Sequence, residues 1–363
     1  MIHELQICGF KMFSEVSFKM APLTILTGMN GTGKTSFIHA LLLIREMIRR
    51  GDKIVQLNGP YDLELGSFED IQNWNTQNHM SFVLTDEACG IYSWILGGNP
   101  TSLYAEIQEY PQELPPFFNE GERMFQYLCA ERFGPRTILG SAALPPEQLE
   151  VGFRGEYSAQ VLYALGSLPI DSLRRCPDAK EDDAALLKFE TERWLSRIAR
   201  PIQIDTESVA IRTVTALRFR IPDGEWVRSP NMGFGVTYAL PVILAGLTAG
   251  KNGILIVENP EAHLHPAGQS QMGYFLAAIA SSGVQVVVET HSDHVLNGIR
   301  RAIGEYRILP EDKAIIHFFD IDGALPQPLS FTETGGVASW PRGFFDQYQL
   351  DVAALTRVRR RKD

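Results

Sequence analysis

Cysteine is scarce in this sequence and is not arranged for a disulfide or zinc framework. Cys8, Cys89, Cys129 and Cys176 are widely separated and form no CxxC pair. Disulfide scaffolds and zinc modules need closely spaced cysteines. We therefore expect reduced, mostly buried thiols.

Long apolar runs are also missing. No uninterrupted apolar stretch reaches the ~20 residues of a membrane-spanning helix, and the opening MIHELQICGF lacks the basic and then apolar order of a signal peptide. With 363 residues, of which 45% are hydrophobic and 21% charged, the composition is that of a folded chain with one large or two medium domains. These features favour a cytoplasmic protein without membrane contact.

Positive charge is in deficit, with a formal net charge of -10. Phosphate binding needs a local excess of Lys and Arg, so the whole surface is not a nucleic-acid clamp. The best candidate for a local basic patch is the C-terminal RVRRRKD. A solvated, frayed terminus is the alternative for the same residues, and it is the interpretation we favour.

Alternating strand and helix patterns predict an α/β protein with a mainly parallel sheet. The second half contains, in order, VAIRTVTALRFRI, VTYALPVILAGLTAG, GILIVE, GQSQMGYFLAAIASS, VQVVVET, HVLNGIRRAIG and KAIIHFFDI. Prolines after residue 110 interrupt any regular pattern, and the amphipathic, acidic text that follows predicts an inserted helical lobe. We expect four regions: residues 1–110 and 201–322 as two halves of one core, 111–200 as the lobe and 323–363 as a C-terminal segment.

A phosphate-binding loop is predicted by GMNGTGKT, which fits G-x-x-x-x-G-K-[ST] between an apolar strand and an amphipathic helix. Gly28 and Gly33 let backbone N–H groups wrap phosphates, and Lys34 reaches the outer phosphates. The Thr35 hydroxyl ligates magnesium, so ATP and Mg²⁺ are the expected cofactors. Further nucleotide contacts are expected from Asn30, Gly31 and Ser36.

Two apolar strands end in acids, at Glu258 in ILIVENPEAHLHP and at Glu289 in VVVETHSDH. The carboxyl ends of strands in an open parallel sheet face the ligand crevice. Glu258 is therefore predicted as the second magnesium-linked acid, and His291 as a hydrogen-bond donor to a γ-phosphate. The long separation from Lys34 excludes a compact GTPase or nucleotide kinase.

Four of the eight histidines, His263, His265, His291 and His294, follow these two strands. Their HxH and HxxH spacings also suit a metal pair. The more common use of such histidines is to structure the loops, and we favour that interpretation over a zinc or metal-nuclease site.

The motifs GMNGTGKT, SPNMGFGVTYALPVILAGL, ILIVENPEAHLHPAGQSQMGYFL and VVVETHSDHVLNGIRRAI resemble, in this order, the ABC-type ATPases of the SMC, RecF and OLD branch. The chain is similar there to short single-polypeptide ATPases with an uncharacterised C-terminal segment, many of them encoded in bacterial defence regions. The resemblance covers nearly the whole chain. It implies an ABC-ATPase-like P-loop head with a mainly parallel sheet, a β-rich N-terminal subdomain and an inserted helical lobe.

The resemblance also implies roles for individual residues. Lys34 and Thr35 become the phosphate and magnesium contacts, Glu258 the magnesium-linked acid and His291 the switch histidine. The segment from Gly233 to Gly235 takes the place of the signature motif, which in the family completes the ATP site of a second subunit; here the usual serine is absent. A homodimer or higher homo-oligomer is implied, and a plain turn before a core helix is the alternative.

A magnesium-sensing glutamine is expected in GSFEDIQNWN. Gln72 is the candidate metal contact, with Asn73 and Gln77 as competing neighbours. The resemblance does not decide the role of three other residues. Phe10, Lys11 and Phe13 either line the pocket for the nucleotide base or belong to the core.

Arg132 and Arg136 in ERFGPR contact an anion or a partner, or form salt bridges with the acidic lobe. The last of these is the use we favour.

The family's catalytic glutamate is replaced by Asn259. An amide takes no proton near neutral pH, and the loss of a general base typically costs ~10²–10⁴ in rate. Asn259 still orients water, as a glutamine does in some GTPases. Glu261 and Glu289 are the neighbouring carboxylates that compensate, so we predict slow, closure-dependent hydrolysis.

The function predicted from the sequence is that of a nucleotide-gated ATPase dimer that regulates an effector protein, in defence against phage. No nuclease segment is recognisable in the chain. A DNA-associated repair ATPase, with DNA as a direct partner, is one alternative; a non-hydrolysing ATP-binding scaffold is another.

Overall fold

The fold combines three sheets and was obtained as a computed structural model that describes residues 1–76, 80–118, 123–208, 214–320 and 325–359. The alternative glutamine Gln77 and the basic residues Arg360, Arg361 and Lys362 lie outside these ranges. In chain order the strands are β1 (Ile2–Phe10), β2 (Phe13–Lys19), β3 (Leu23–Gly28), β4 (Ile54–Gln56), β5 (Met80–Asp86), β6 (Ile91–Gly97), β7 (Tyr104–Glu109), β8 (Phe125–Leu128), β9 (Ile138–Gly140), β10 (Gln203–Ser208), β11 (Val214–Arg220), β12 (Val227–Arg228), β13 (Ile254–Glu258), β14 (Gln285–Glu289), β15 (Ala314–Phe319) and β16 (Gln327–Ser330). The α-helices are α1 (Lys34–Arg50), α2 (Phe68–Ile71), α3 (Ser158–Leu165), α4 (Leu187–Ile198), α5 (Phe234–Thr248), α6 (Pro266–Ser281), α7 (Asp293–Gly304) and α8 (Gln347–Arg359).

The central sheet has the order β16-β15-β3-β14-β13-β8. All its neighbouring strands are parallel except β16, which pairs antiparallel with β15. Every residue of β13 and β14 is buried, which explains why both strands are continuous apolar runs rather than alternating ones. The predicted mainly parallel sheet is confirmed.

Two hydrophobic cores cover the two faces of this sheet. Ile254 and Ile256 point into a core shared with α1 and the N-terminal sheet, whereas Leu255 and Val257 point into a core shared with α3 to α7. Successive strand residues face opposite sides, so one apolar run supplies both cores. Helix α1 is the amphipathic helix that the sequence predicted after the phosphate loop.

The β-rich N-terminal subdomain is an antiparallel sheet with the order β2-β1-β5-β6-β7-β4. In β5 buried residues alternate with half-buried ones, because one face of the sheet packs on the core. The side chain of Gln285 ties this sheet to the central one, accepting from the Ile2 amide at 2.8 Å and donating to the Ile2 carbonyl at 2.7 Å.

Two assignments from the sequence need correction. VAIRTVTALRFRI was expected in the parallel sheet, but its described part, β11, lies in a separate antiparallel sheet with β9, β10 and β12. Its alternating burial fits a half-exposed antiparallel strand. Within the range assigned to the helical lobe, β8 pairs parallel with β13 and belongs to the central sheet. The lobe's helices are α3 and α4.

The C-terminal segment folds against the carboxyl edge of the central sheet. Phe344 is fully buried and meets the Phe318 ring with centroids 5.4 Å apart. Trp340 is 43% exposed and Tyr348 76% exposed, so only part of this aromatic cluster packs against the core. Among the described residues, no helix is both long and apolar enough to cross a membrane.

Candidate nucleotide site

The phosphate loop has a backbone that only glycine adopts readily. Gly28 has φ 131° and Gly33 has φ 106°, outside the range that L-residues favour. A Cβ atom on Gly28 would lie 2.0 Å from the Phe319 carbonyl oxygen, and one on Gly33 would lie 2.3 Å from Met12 Sδ. The loop is therefore pressed against β15 and the β1–β2 turn, in the tight shape that the motif predicts.

Lys34 points into this loop. Its Nζ donates to the carbonyls of Gly28 at 3.1 Å and Met29 at 2.5 Å, although the side chain is only 3% exposed. Burial lowers the pKa of Lys34, and the neighbouring Glu289 opposes that shift. Backbone carbonyls solvate this ammonium without neutralising it, so it remains suited to a phosphate group.

The carboxylates of Glu258 and Glu289 end neighbouring strands in direct register. Glu289 faces the phosphate loop, since its Oε2 lies 3.5 Å from the Thr35 hydroxyl. Burial and the charge of Glu258 raise the pKa of Glu289 to about 7. Glu258 instead accepts hydrogen bonds from the Tyr127 hydroxyl at 2.8 Å and the Ala130 amide at 3.3 Å, and burial raises its pKa. The structure thus places Glu289, rather than Glu258, beside Thr35.

Asn259 has a structural reason to be an amide. Its φ is 43°, a left-handed conformation that Asn tolerates better than other non-glycine residues. Its N–H donates to the Glu289 carbonyl at 2.9 Å. Its side-chain Oδ1 is buried and has no hydrogen-bond partner within the described ranges.

Glu261 is occupied by the neighbouring loop. Its carboxylate accepts from the Thr290 hydroxyl and the His291 amide, both at 2.8 Å. His291 is 39% exposed, and its Nε2 lies 4.0 Å from Glu289 Oε1. Burial and the Lys34 charge lower the pKa of His291. Glu261 therefore positions the loop that carries His291.

Arg132 is a site residue whose role the sequence interpretation missed. It is 2% exposed and donates to the carbonyls of Glu258 at 2.6 Å, Asn259 at 2.7 Å and Cys129 at 2.9 Å. Burial lowers its pKa. It clamps the backbone after β13, so the favoured salt bridge with the acidic lobe is wrong. Arg136 is exposed and lies over the Phe133 ring.

The predicted signature turn lies at an exposed helix start. Gly233 precedes α5 with φ 90°, and a Cβ atom there would meet nothing within 4 Å. The Phe234 side chain is 52% exposed and its ring centroid lies 5.0 Å from that of His263 in the loop after β13. A Cβ on Gly235 would lie 2.9 Å from the His263 carbonyl, so this turn and loop pack together.

His265 caps α6, where its Nδ1 accepts from the Ala267 amide at 3.3 Å. Across the described part of the chain, no group of three or more His, Cys, Asp or Glu side chains is placed to hold a metal ion.

The remaining candidates divide between the pocket and the core. Lys11 lines the phosphate pocket, where its Nζ lies 2.8 Å from His39 Nδ1. Phe10 and Phe13 are buried in the core. Gln72 follows the last residue of α2, and its backbone forms an isolated β-bridge with Phe10. No described contact brings its side chain to Thr35. Its metal role stays a prediction.

Comparisons with known proteins support this assignment of the fold. Residues 166–297 match the family described as "AAA domain, putative AbiEii toxin, Type IV TA system", and residues 309–355 match a protein family of unknown function, DUF3696. No curated protein matches the sequence.

The solved structures that it resembles include an SMC head bound to the C-winged helix domain of ScpA, at 11% identity and a TM-score of 0.50, covering 91% of this chain and 97% of that one. The chain has an ABC-ATPase-like fold similar to that of SMC heads. Two further heads have lower scores. One is from Thermotoga maritima, with 12% identity, a TM-score of 0.43 and coverage of 94% and 98%. The other has an extended coiled coil, is bound to the C-terminal domain of ScpA and is derived from Pyrococcus furiosus, with 11% identity, a TM-score of 0.48 and 99% coverage of both chains.

Proposed function

We propose that this chain binds ATP with magnesium, hydrolyses it slowly and closes as a nucleotide-gated dimer that regulates an effector protein in anti-phage defence. One observation carries the proposal. Lys34, Thr35 and Glu289 line a single pocket of about 430 Å³ with Gly31 and Gly33 of the phosphate loop. A buried ammonium, a hydroxyl and a carboxylate meet there at the start of a 17-residue helix, whose N-terminus favours anions.

The residues present fit a magnesium ion. Magnesium prefers oxygen ligands and is usually held by one or two carboxylates together with substrate phosphates. The Thr35 hydroxyl and the Glu258 carboxylate are such donors. Bound there, the ion would neutralise phosphate charge; Lys34 and the loop amides would hold and orient the phosphates.

Glu289 is the carboxylate best suited to assist hydrolysis. A general base works best with a pKa near the operating pH, and that of Glu289 is about 7. Glu261 has both oxygens engaged in the loop. The unpartnered Oδ1 of Asn259 orients the attacking water, and Glu289 takes its proton.

Dimer closure is supported by the exposed signature turn. Gly233 and Phe234 start a 15-residue helix next to the loop after β13, with no covering partner in the described chain. A second copy bound there would cover the helix N-terminus and place it against a nucleotide. The missing signature serine removes one hydrogen bond to that nucleotide, which favours loose closure.

The proposed effector and the proposed defence role are supported by proteins that the chain resembles. The matched family is described as a putative toxin of a type IV TA system, which favours a role in which nucleotide state controls a second activity. The SMC head of similar fold is bound to a domain of another protein, ScpA. A cytoplasmic regulator that contacts a protein effector is consistent with both.

The dimer is tested by light scattering of the purified protein with ATP, ADP or a non-hydrolysable analogue, while phosphate release is followed. We expect a mass near twice 40.6 kDa with ATP or the analogue, a monomer with ADP, and slow phosphate release. A monomer in all three conditions without bound nucleotide contradicts the proposal. Dimerisation without turnover indicates a scaffold, and turnover stimulated by DNA indicates a repair ATPase.

Phe234→Arg is expected to abolish the ATP-dependent dimer, because it adds a charge to the surface that closure buries. Leu173→Arg is the matched control, since Leu173 is 65% exposed on the helical lobe. Equal loss of the dimer in both variants would refute the role of the signature turn.

Turnover is expected to depend on pH through Glu289. Only the deprotonated carboxylate accepts a proton, so with a pKa of about 7 the rate should fall about tenfold per unit below pH 7 and level off above it. Steady-state turnover at saturating ATP between pH 5.5 and about 8.5 measures this. A flat profile in the wild type, or an unchanged slope in Glu289→Gln, contradicts it.

A further inference from the structure

A second cavity, of about 230 Å³, lies along the β8 edge of the central sheet. Among the described strands, β8 pairs only with β13. The cavity has aromatic walls, contributed by Tyr61, Phe125, Tyr127, Phe153 and Tyr157. The Tyr61 ring lies 6.1 Å from Phe125, at a tilt of 55°, and 6.2 Å from Tyr127, at 80°, between centroids, so three rings meet at this wall.

The polar groups of this cavity are short of donors. Gln126 is 2% exposed; its Nε2 donates to the Ala245 carbonyl at 2.8 Å, but its Oε1 has no partner among the described residues. Glu150 also lines the cavity, and within the described ranges no hydrogen bond or ion pair engages its carboxylate. Buried acceptors without donors are costly, and each such group in a native protein calls for a partner.

A second carboxylate, Glu156, lines the same space and accepts a hydrogen bond from the Arg154 amide at 2.8 Å. Burial raises the pKa of Glu150 to about 7 and also raises that of Glu156. The charges of Arg45 and Arg123 oppose the shift at Glu150. A cation within the cavity would satisfy both carboxylates more directly.

We propose that this cavity binds a small organic ammonium ion with an apolar body. Aromatic faces attract cations when these lie within ~6 Å of the ring centroid. The ammonium hydrogens would reach Glu150, Glu156 and the Oε1 of Gln126 as charge-assisted donors. The apolar body would fill the space between the rings, where no polar group of the wall needs a partner.

The occupied cavity would act on the nucleotide site through Tyr127. Its ring lines the cavity, and its hydroxyl donates at 2.8 Å to Glu258 Oε1. A ligand in contact with this ring would shift the position of Glu258, so binding would change ATP turnover. This coupling rests on the proposed function, whereas the binding itself does not. Couplings between sites typically change affinity 5–150-fold.

Binding is measured by calorimetry without nucleotide, using 2-phenylethylamine and its neutral counterpart 2-phenylethanol. We expect the amine to bind at least ~10-fold more tightly, because one charge-assisted contact contributes about that factor. Glu150→Gln should remove this preference, and it relieves a buried carboxylate, so the fold should tolerate it. Glu147→Gln, exposed three residues earlier, should leave it unchanged.

Equal binding of the alcohol and the amine, no binding of either at millimolar concentration, or an unchanged preference in both Glu150→Gln and Glu156→Gln would each overturn the proposal. Turnover of ATP with and without the amine then tests the coupling. Tyr127→Phe keeps the ring and should retain amine binding, while the effect on turnover is lost. A protein without ATPase activity that still binds the amine refutes the proposed function and leaves the cavity assignment standing.

Discussion

Replacing Glu289 with glutamine is expected to slow ATP turnover by about 10²–10⁴-fold while ATP binding stays nearly intact. The amide keeps the shape of the side chain and its contact with the Thr35 hydroxyl, 3.5 Å away, but accepts no proton. Removing a charge beside Glu258 also relieves repulsion between the two acids. Single-turnover kinetics and nucleotide titration, compared with the wild type, separate the chemical step from binding.

Glu261→Gln is the matched control for this experiment. Glu261 lies in the same loop cluster but accepts from Thr290 and His291. We expect a smaller loss of turnover, accompanied by a lower melting temperature, because the His291 loop loosens. If Glu261→Gln were the more damaging change at unchanged stability, Glu261 would be the base. If both variants kept full activity, neither carboxylate would assist hydrolysis.

The parts of the fold that the sequence predicted are those with local causes. Helix α1 and the strands on either side of the site are coded by apolar periodicity and by glycines whose conformation no other residue adopts readily. Gly28 illustrates this, because its Cβ would collide with the neighbouring strand. The four residues of the phosphate motif need no distant partner to be recognised.

The parts that were missed depend on pairing across long separations. Strand β8 has only four residues and lies close to several prolines, so its sequence alone predicts a loop. It forms a strand by pairing with β13, which lies far along the chain. Strand β11 was placed in the wrong sheet, since alternation alone does not identify the neighbour. Which of Glu258 and Glu289 faces Thr35 depends on strand order, because both residues end apolar runs of the same kind.

The amide at Asn259 is explained by backbone and chemistry together. A glutamate there would have to adopt φ 43°, which costs roughly 1–2 kcal/mol for an ordinary residue. The same turn brings the Asn259 N–H to the Glu289 carbonyl. The chain thus combines a left-handed turn after β13 with a carboxylate on β14 in place of the adjacent glutamate. For the proposed function, this arrangement leads us to expect slow hydrolysis together with nucleotide binding.

Arg132→Leu is expected to lower turnover by about 10²-fold, because a misplacement of ~1 Å at a catalytic site costs about that much. The guanidinium donates to three carbonyls, two of which belong to Glu258 and Asn259, so its loss releases the turn that aims both side chains. Stability falls as well, by roughly 1–3 kcal/mol for carbonyls left unpaired, and removal of a buried charge offsets part of that loss. Chemical denaturation and turnover measured on the same preparation separate the two effects.

Arg136→Leu provides the control, since Arg136 is exposed four residues later and stacks on Phe133. We expect its turnover and stability to match the wild type within experimental error. Arg132→Lys restores a charge but only one donor group, so it should recover stability better than turnover. Full activity in Arg132→Leu would show that the turn after β13 keeps its shape without the clamp, and that Arg132 serves the fold alone.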